Sequence, residues 1–142
     1  MKVKKEGLGE LVREVLASVK LASASATVVA LKGDLGAGKT TFTQELAKQL
    51  GITDAVQSPT YVLMKSYPIN FNGFTKLIHI DAYRLEKPEE FSALQPETFL
   101  HNPENLVVIE WPERVEGVLP TRDLLINFTH TDSEEERYIE VV

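Results

Sequence analysis

Apolar residues recur along the chain with two different periods, and the switching between them outlines an α/β fold. Leu8, Leu11, Val12, Val15, Leu16 and Val19 follow the i, i+3, i+4, i+7 spacing of an amphipathic helix. Such a helix packs on a sheet or offers its stripe to a partner. Ser18, Ser23 and Ser25 loosen the chain before Ala26-Thr27-Val28-Val29-Ala30-Leu31, an apolar run with β-branched residues that suits a buried strand. Phe42, Leu46, Ala47 and Leu50 return to helical spacing, and Gly51 supplies a C-cap.

Further on, Tyr61 to Tyr67 and Phe74 to Asp81 read as two strands. The turn-rich stretch 68–73 between them ends in Asn72-Gly73, a hairpin signal. Pro88 to Leu94 opens a short helix, proline first and acids in the first turn, and Pro96 and Pro103 interrupt the chain beyond it. Leu106-Val107-Val108-Ile109-Glu110 is the cleanest buried strand. Asp123 to His130 and Arg137 to Val142 form a closing antiparallel pair around the polar stretch 131–136. No repeat or low-complexity segment breaks the pattern, and 142 residues suit a single domain, 1–142.

Between the first strand and the helix after it lies Gly33-Asp34-Leu35-Gly36-Ala37-Gly38-Lys39-Thr40-Thr41, which reads G-x-x-x-x-G-K-T. This is the phosphate-binding loop of nucleotide hydrolases, in its required strand–loop–helix setting. Glycines let successive backbone N–H groups turn inward around an anion, where a Cβ would block both the turn and the approach. Lys39 then reaches the outer phosphates, Thr40 is placed to ligate Mg²⁺, and the helix N-terminus faces the negative charge.

Two strands close on carboxylates, Asp81 and Glu110, at the sheet edge where open α/β folds bind ligands. One suits Mg²⁺ and the other water positioning; spacing does not divide the roles. A period of two sets Leu77, His79 and Asp81 on one face, and His79 alone reads as a packed or hydrogen-bonded histidine. Within Ser58-Pro59-Thr60-Tyr61, the Thr60 hydroxyl either reaches the γ-phosphate or Mg²⁺, as switch threonines do, or bonds its own backbone. Arg84 either pairs with a carboxylate or touches phosphate. Trp111, the only tryptophan, is either a core anchor or an aromatic contact near the site. His101 and His130 show no metal-ligand spacing.

Composition narrows the partners. Acids outnumber bases 21 to 15, for a net charge of −6, and no basic run exceeds Lys4-Lys5. Autonomous nucleic-acid binding, which relies on a basic face, is not expected. The absence of cysteine excludes a disulfide framework, a thiolate metal site and a cysteine nucleophile. No apolar run approaches a membrane span and the N-terminus lacks a signal-peptide core, so a cytoplasmic protein is expected.

Four segments taken together resemble one family: Gly33 to Thr41, Ser58 to Tyr61, His79-Ile80-Asp81-Ala82-Tyr83-Arg84-Leu85, and Ile109-Glu110-Trp111-Pro112-Glu113-Arg114. Their order and separation are similar to the TsaE (YjeE) family, the ATPase subunit of the bacterial tRNA threonylcarbamoyladenosine machinery. The resemblance spans roughly residues 8 to 130. Ser92-Ala93-Leu94-Gln95 departs from it, standing where the family often has a glycine after the acidic helix.

The resemblance implies a P-loop NTPase-like three-layer α/β sandwich, its central sheet parallel with antiparallel edge strands. It implies ATP and Mg²⁺ as cofactors, slow hydrolysis alone, and action with the TsaD and TsaB subunits. Those partners carry out the threonylcarbamoylation of tRNA adenosine 37 and hold the tRNA. By position, Asp34, Leu35, Gly36, Ala37, Gly38, Lys39, Thr40 and Thr41 would hold the phosphates. Asp81 matches a metal-linked acid, Glu110 an acid required for hydrolysis, Thr60 a switch threonine, and Trp111 a tryptophan near the nucleotide. Two other classes share the loop. A metabolite kinase usually adds a lid with phosphate-clamping arginines, which are few and scattered here. A GTP-dependent switch usually carries an N-K-x-D segment, absent here.

Overall fold

The two periods resolve into one mixed sheet covered on both faces. The computed structural model describes residues 1–21, 24–34, 36–53, 64–83, 85–115, 122–133 and 135–142, with Lys5 by its backbone alone. Its strands are β1 (Lys2–Lys4), β2 (Thr27–Gly33), β3 (Met64–Phe71), β4 (Phe74–Asp81), β5 (Asn105–Glu110), β6 (Leu124–His130) and β7 (Glu136–Val141). They lie in the order β1-β7-β6-β2-β5-β4-β3. The inner strands β6, β2, β5 and β4 run parallel. Strands β7, β1 and β3 add the antiparallel edges, as expected from the family resemblance.

Strand β5 is buried at every position, as a parallel strand covered on both faces must be. Its alternate residues feed two cores. Leu106 and Val108 join Val29, Leu31 and Leu77 beneath α1 (Leu8–Ser18) and α2 (Lys39–Gln49). Val107 and Ile109 join Val28, Ala30, Ile78 and Ile80 on the other face. There Phe91 of a 3₁₀ helix (Pro88–Leu94), Phe99 of α3 (Glu97–Leu100) and Val115 of a second 3₁₀ helix (Pro112–Val115) cover them. The stripe on α1 is thereby committed to the core: Leu8, Leu11, Val12, Val15 and Leu16 are all buried. Gln49 Nε2 also donates to the Gly9 carbonyl at 2.7 Å, tying α2 to α1.

Three details differ from the sequence expectation. Strand β3 runs on through Pro68 to Phe71, so the turn is only Asn72 and Gly73, both left-handed at φ 48° and 91°. An edge strand tolerates the missing proline donor, and the register shifts between Pro68 and Phe71. The expected short helix from Pro88 takes the tighter 3₁₀ form and ends at a left-handed Gln95 (φ 53°) just before Pro96, which its residue type did not announce. The N-terminal lysines form the short edge strand β1, whose charges suit an unpaired edge.

The parallel strands bring their C-terminal ends to one edge, with Glu110 in register with both Leu31 of β2 and Asp81 of β4. Gly33, the last residue of β2, pairs with Phe128 of β6. A Cβ on Gly33 would sit 2.7 Å from the Phe128 carbonyl oxygen, so the first motif glycine serves strand packing. Gly33→Ala is expected to cost about 1–3 kcal/mol by forcing β2 and β6 apart. A urea unfolding midpoint equal to wild type would show that the strands yield without cost.

Candidate phosphate-binding site

The loop between β2 and α2 is built for close approach to an anion. Gly36 and Gly38 are left-handed, at φ 75° and 105°, conformations that L side chains rarely adopt. Gly38 caps α2 without a side chain, so the backbone N–H groups of the first turn face outward at the helix start. Among the described residues, Asp34 accepts at its carbonyl from Ala37 N at 3.1 Å, closing the loop as a turn. Leu35, Thr60 and Arg84 lie outside the described residues, as does the whole Ser58 to Tyr61 segment.

Lys39 opens α2 with its side chain folded back into the loop. Its ammonium donates to the Gly33 carbonyl and, at 3.3 Å, to the Asp34 carbonyl. The indole of Trp111 lies 3.8 Å from Nζ, a cation–π contact. Burial pushes the Lys39 ammonium below the ordinary lysine range, while Glu110, Glu113, Asp81 and Asp34 oppose that shift. The lysine thus sits amid four carboxylates, with its charge net disfavoured by desolvation.

Trp111 follows β5 directly and adopts φ 61°, unusual for a bulky residue, with its N–H donating to the Leu31 carbonyl at 3.2 Å. That bend swings the indole over the phosphate-loop lysine, so Trp111 is a site contact as well as a partly buried neighbour of the second core. Tyr83 stacks obliquely on it, with centroids 5.0 Å apart. Arg114, in turn, lies over the Tyr83 ring.

The two strand-end carboxylates differ in setting. Glu110 is only 2% exposed. One oxygen, Oε2, is 2.6 Å from His79 Nε2, and the other, Oε1, receives the Thr40 hydroxyl at 3.5 Å, the long limit of a hydrogen bond. Asp81 is half-buried, and its Oδ1 accepts from Tyr83 N at 3.0 Å. Thr41, one position past Thr40, is exposed on α2. No group of three or more His, Asp or Glu among the described residues is placed to hold a metal. Thr40, Asp81 and Glu110 offer the hard oxygen atoms that Mg²⁺ would take, one or two from protein and the rest from phosphate and water. The loop, the lysine and the threonine–glutamate pair fit a magnesium nucleotide.

Two residues that sequence reasoning passed over flank the loop from the β6–β7 hairpin. Arg137 Nη2 donates to the Gly36 carbonyl at 3.3 Å. His130 Cε1 would stand 3.9 Å from a Cβ on Gly36. Their nearness depends on β6 pairing beside β2, which no local pattern announces.

The chain is similar to known proteins along most of its length. The model of the family described as threonylcarbamoyl adenosine biosynthesis protein TsaE matches residues 5–139. The tRNA threonylcarbamoyladenosine biosynthesis protein TsaE of Haemophilus influenzae is 38% identical over 134 residues, covering 94% of this chain and 80% of that protein. Its Bacillus subtilis namesake is 38% identical over 125 residues, covering 86% of this chain and 75% of that one. The crystal structure of Bacillus subtilis YdiB superposes with a TM-score of 0.72 at 30% identity, over 98% of this chain and 82% of that chain.

The buried lysine generates a stability prediction. Unfolding returns Lys39 to water, where it binds its proton more tightly, so its contribution to stability rises with pH from the lowered pKa up to the ordinary 10.5. Below that window the buried charge is a cost. Lys39→Met, similar in length and uncharged, is therefore expected to melt no lower than wild type at pH 7 without nucleotide. A fall of several degrees would show that the carbonyl and indole contacts outweigh desolvation.

Proposed function

The chain belongs to the TsaE family, and from that premise we propose that it is the ATP-hydrolysing subunit of a tRNA threonylcarbamoyladenosine machinery. Residues 1–142 act as one P-loop domain. The observation that carries the reading is the convergence of Lys39, Thr40 and Glu110 at the loop, with Thr40 Oγ1 3.5 Å from Glu110 Oε1. ATP with Mg²⁺ supplies the phosphoanhydride to be broken and neutralises its charge.

The protein's part is positioning and electrostatics. The backbone from Asp34 through Leu35, Gly36, Ala37 and Gly38 to Thr41 cradles the phosphates. Lys39 exchanges its two backbone carbonyls for phosphate oxygens, which relieves a partly desolvated cation with a full counter-charge. Thr40 and Asp81 serve the metal. Glu110 orients the attacking water from beside Thr40, and Thr60 completes the site from the switch segment. Trp111 screens the lysine from solvent on the far side.

Turnover is slow in isolation and is completed by TsaD and TsaB, which hold the tRNA and carry out the threonylcarbamoyl transfer. The acidic balance of the chain, −6, accords with leaving tRNA to those partners. No described helix is long and apolar enough to cross a membrane. The cytoplasm, where tRNA is modified, is the proposed location.

Lys39→Ala is expected to abolish ATP binding; retained affinity and turnover would overturn the assignment of the loop. Glu110→Ala is expected to keep ATP binding while single-turnover hydrolysis falls about 100-fold or more. Loss of binding with normal hydrolysis of the ATP still bound would make Glu110 a binding residue instead. Both variants are best measured alone and with TsaD and TsaB, with GTP competition alongside. An unchanged wild-type rate with active partners, or equal use of GTP, would count against an ATPase coupled to them.

A further inference from the structure

His79 is wholly buried at 0% exposure, and among the described residues the only polar contact its ring makes is to Glu110. Nε2 lies 2.6 Å from Oε2, whereas the buried Nδ1 has no hydrogen-bond partner among the described residues. The ring and the carboxylate come from neighbouring parallel strands: His79 pairs with Val108, and Glu110 sits two residues further along β5 on the same face. That face is the one covered by α2, where Thr40 meets the other carboxylate oxygen.

We propose that His79 is a positioning residue for Glu110. Its Nε2–H holds Oε2, which fixes the carboxylate rotamer and turns Oε1 toward Thr40. A glutamate side chain has three rotatable bonds, and at this strand end the described structure holds it at two points only. Without the imidazole, the Thr40 contact at its long limit is left as the remaining restraint. A histidine kept for packing alone needs no donor, and a leucine of similar size would serve without burying an unpaired ring nitrogen. The ring's polarity is therefore spent on Glu110. This deepens the proposed ATPase reading and rests on it for the rate effect, but not for the geometry.

The test compares His79→Leu, which removes the donor at similar volume, with His79→Gln, whose amide N–H reaches about as far as Nε2. Should the leucine variant not fold, His79→Asn, with an amide reaching only as far as Nδ1, replaces it. Crystal structures of the ligand-free variants report the Glu110 rotamer, and ATP affinity and single-turnover hydrolysis are measured on the same proteins. In His79→Leu the Glu110 carboxylate is expected to turn away from Thr40. Hydrolysis is expected to fall about 10- to 100-fold with ATP affinity within about twofold, as for loss of an outer hydrogen-bond partner. His79→Gln is expected to restore rotamer and rate together.

An unmoved Glu110 with wild-type hydrolysis in His79→Leu overturns the proposal, as does a glutamine variant that fails as fully as the leucine one. If wild type binds ATP but does not hydrolyse it even with its partners, the ATPase reading falls. The Glu110 rotamer in the variant structures then decides the positioning role by itself.

Discussion

A carboxylate buried at the end of an inner strand must be met by polar partners, and in this protein that requirement shapes the C-terminal edge of the parallel strands. Glu110 is enclosed because β5 runs between β2 and β4, with helices over both faces. A charge so placed is costly unless hydrogen-bonded. Its partners come from both sides, His79 from β4 and Thr40 from the first turn of α2. The parallel register that aligns β4, β5 and β2 at their C-terminal ends is therefore also what lets the carboxylate be buried.

Lys39 shows the same economy with opposite sign. It is 5% exposed, leans on two backbone carbonyls, and is covered by the face of Trp111. The four carboxylates around it offset only part of the desolvation, so burial still lowers its proton affinity. An anion in the loop would supply the rest. The left-handed glycines 36 and 38 leave room for that anion by placing no Cβ on the backbone that would line it.

Much of this was legible in the sequence because it is local. The β2–loop–α2 unit, the strands ending in Asp81 and Glu110, and the Asn72-Gly73 turn each carry their signal within a dozen residues. The two-residue period set His79 and Asp81 on one face, and both do lie there. What sequence did not disclose is lateral. The meeting of His79 with Glu110 requires knowing that β4 and β5 are neighbours in a particular register. The approach of Arg137 to Gly36 requires β6 and β7 to sit on the opposite side of β2 from β5. Strand β1 was hidden for a different reason: three residues with one half-buried valine offer no period to read. The left-handed Gln95 that ends the Pro88 to Leu94 helix is likewise a conformation its residue type does not advertise.

Trp111 occupies its place through an uncommon backbone bend, pinned to β2 by one hydrogen bond and lying against both Lys39 and Tyr83. As the only indole in 142 residues, it makes the chain's long-wavelength emission a local signal rather than an average. A cation 3.8 Å from the ring perturbs the excited state, and moving that cation changes brightness and colour. The protein therefore carries its own optical probe of the lysine, and the filling and emptying of the loop can be timed in unlabelled material.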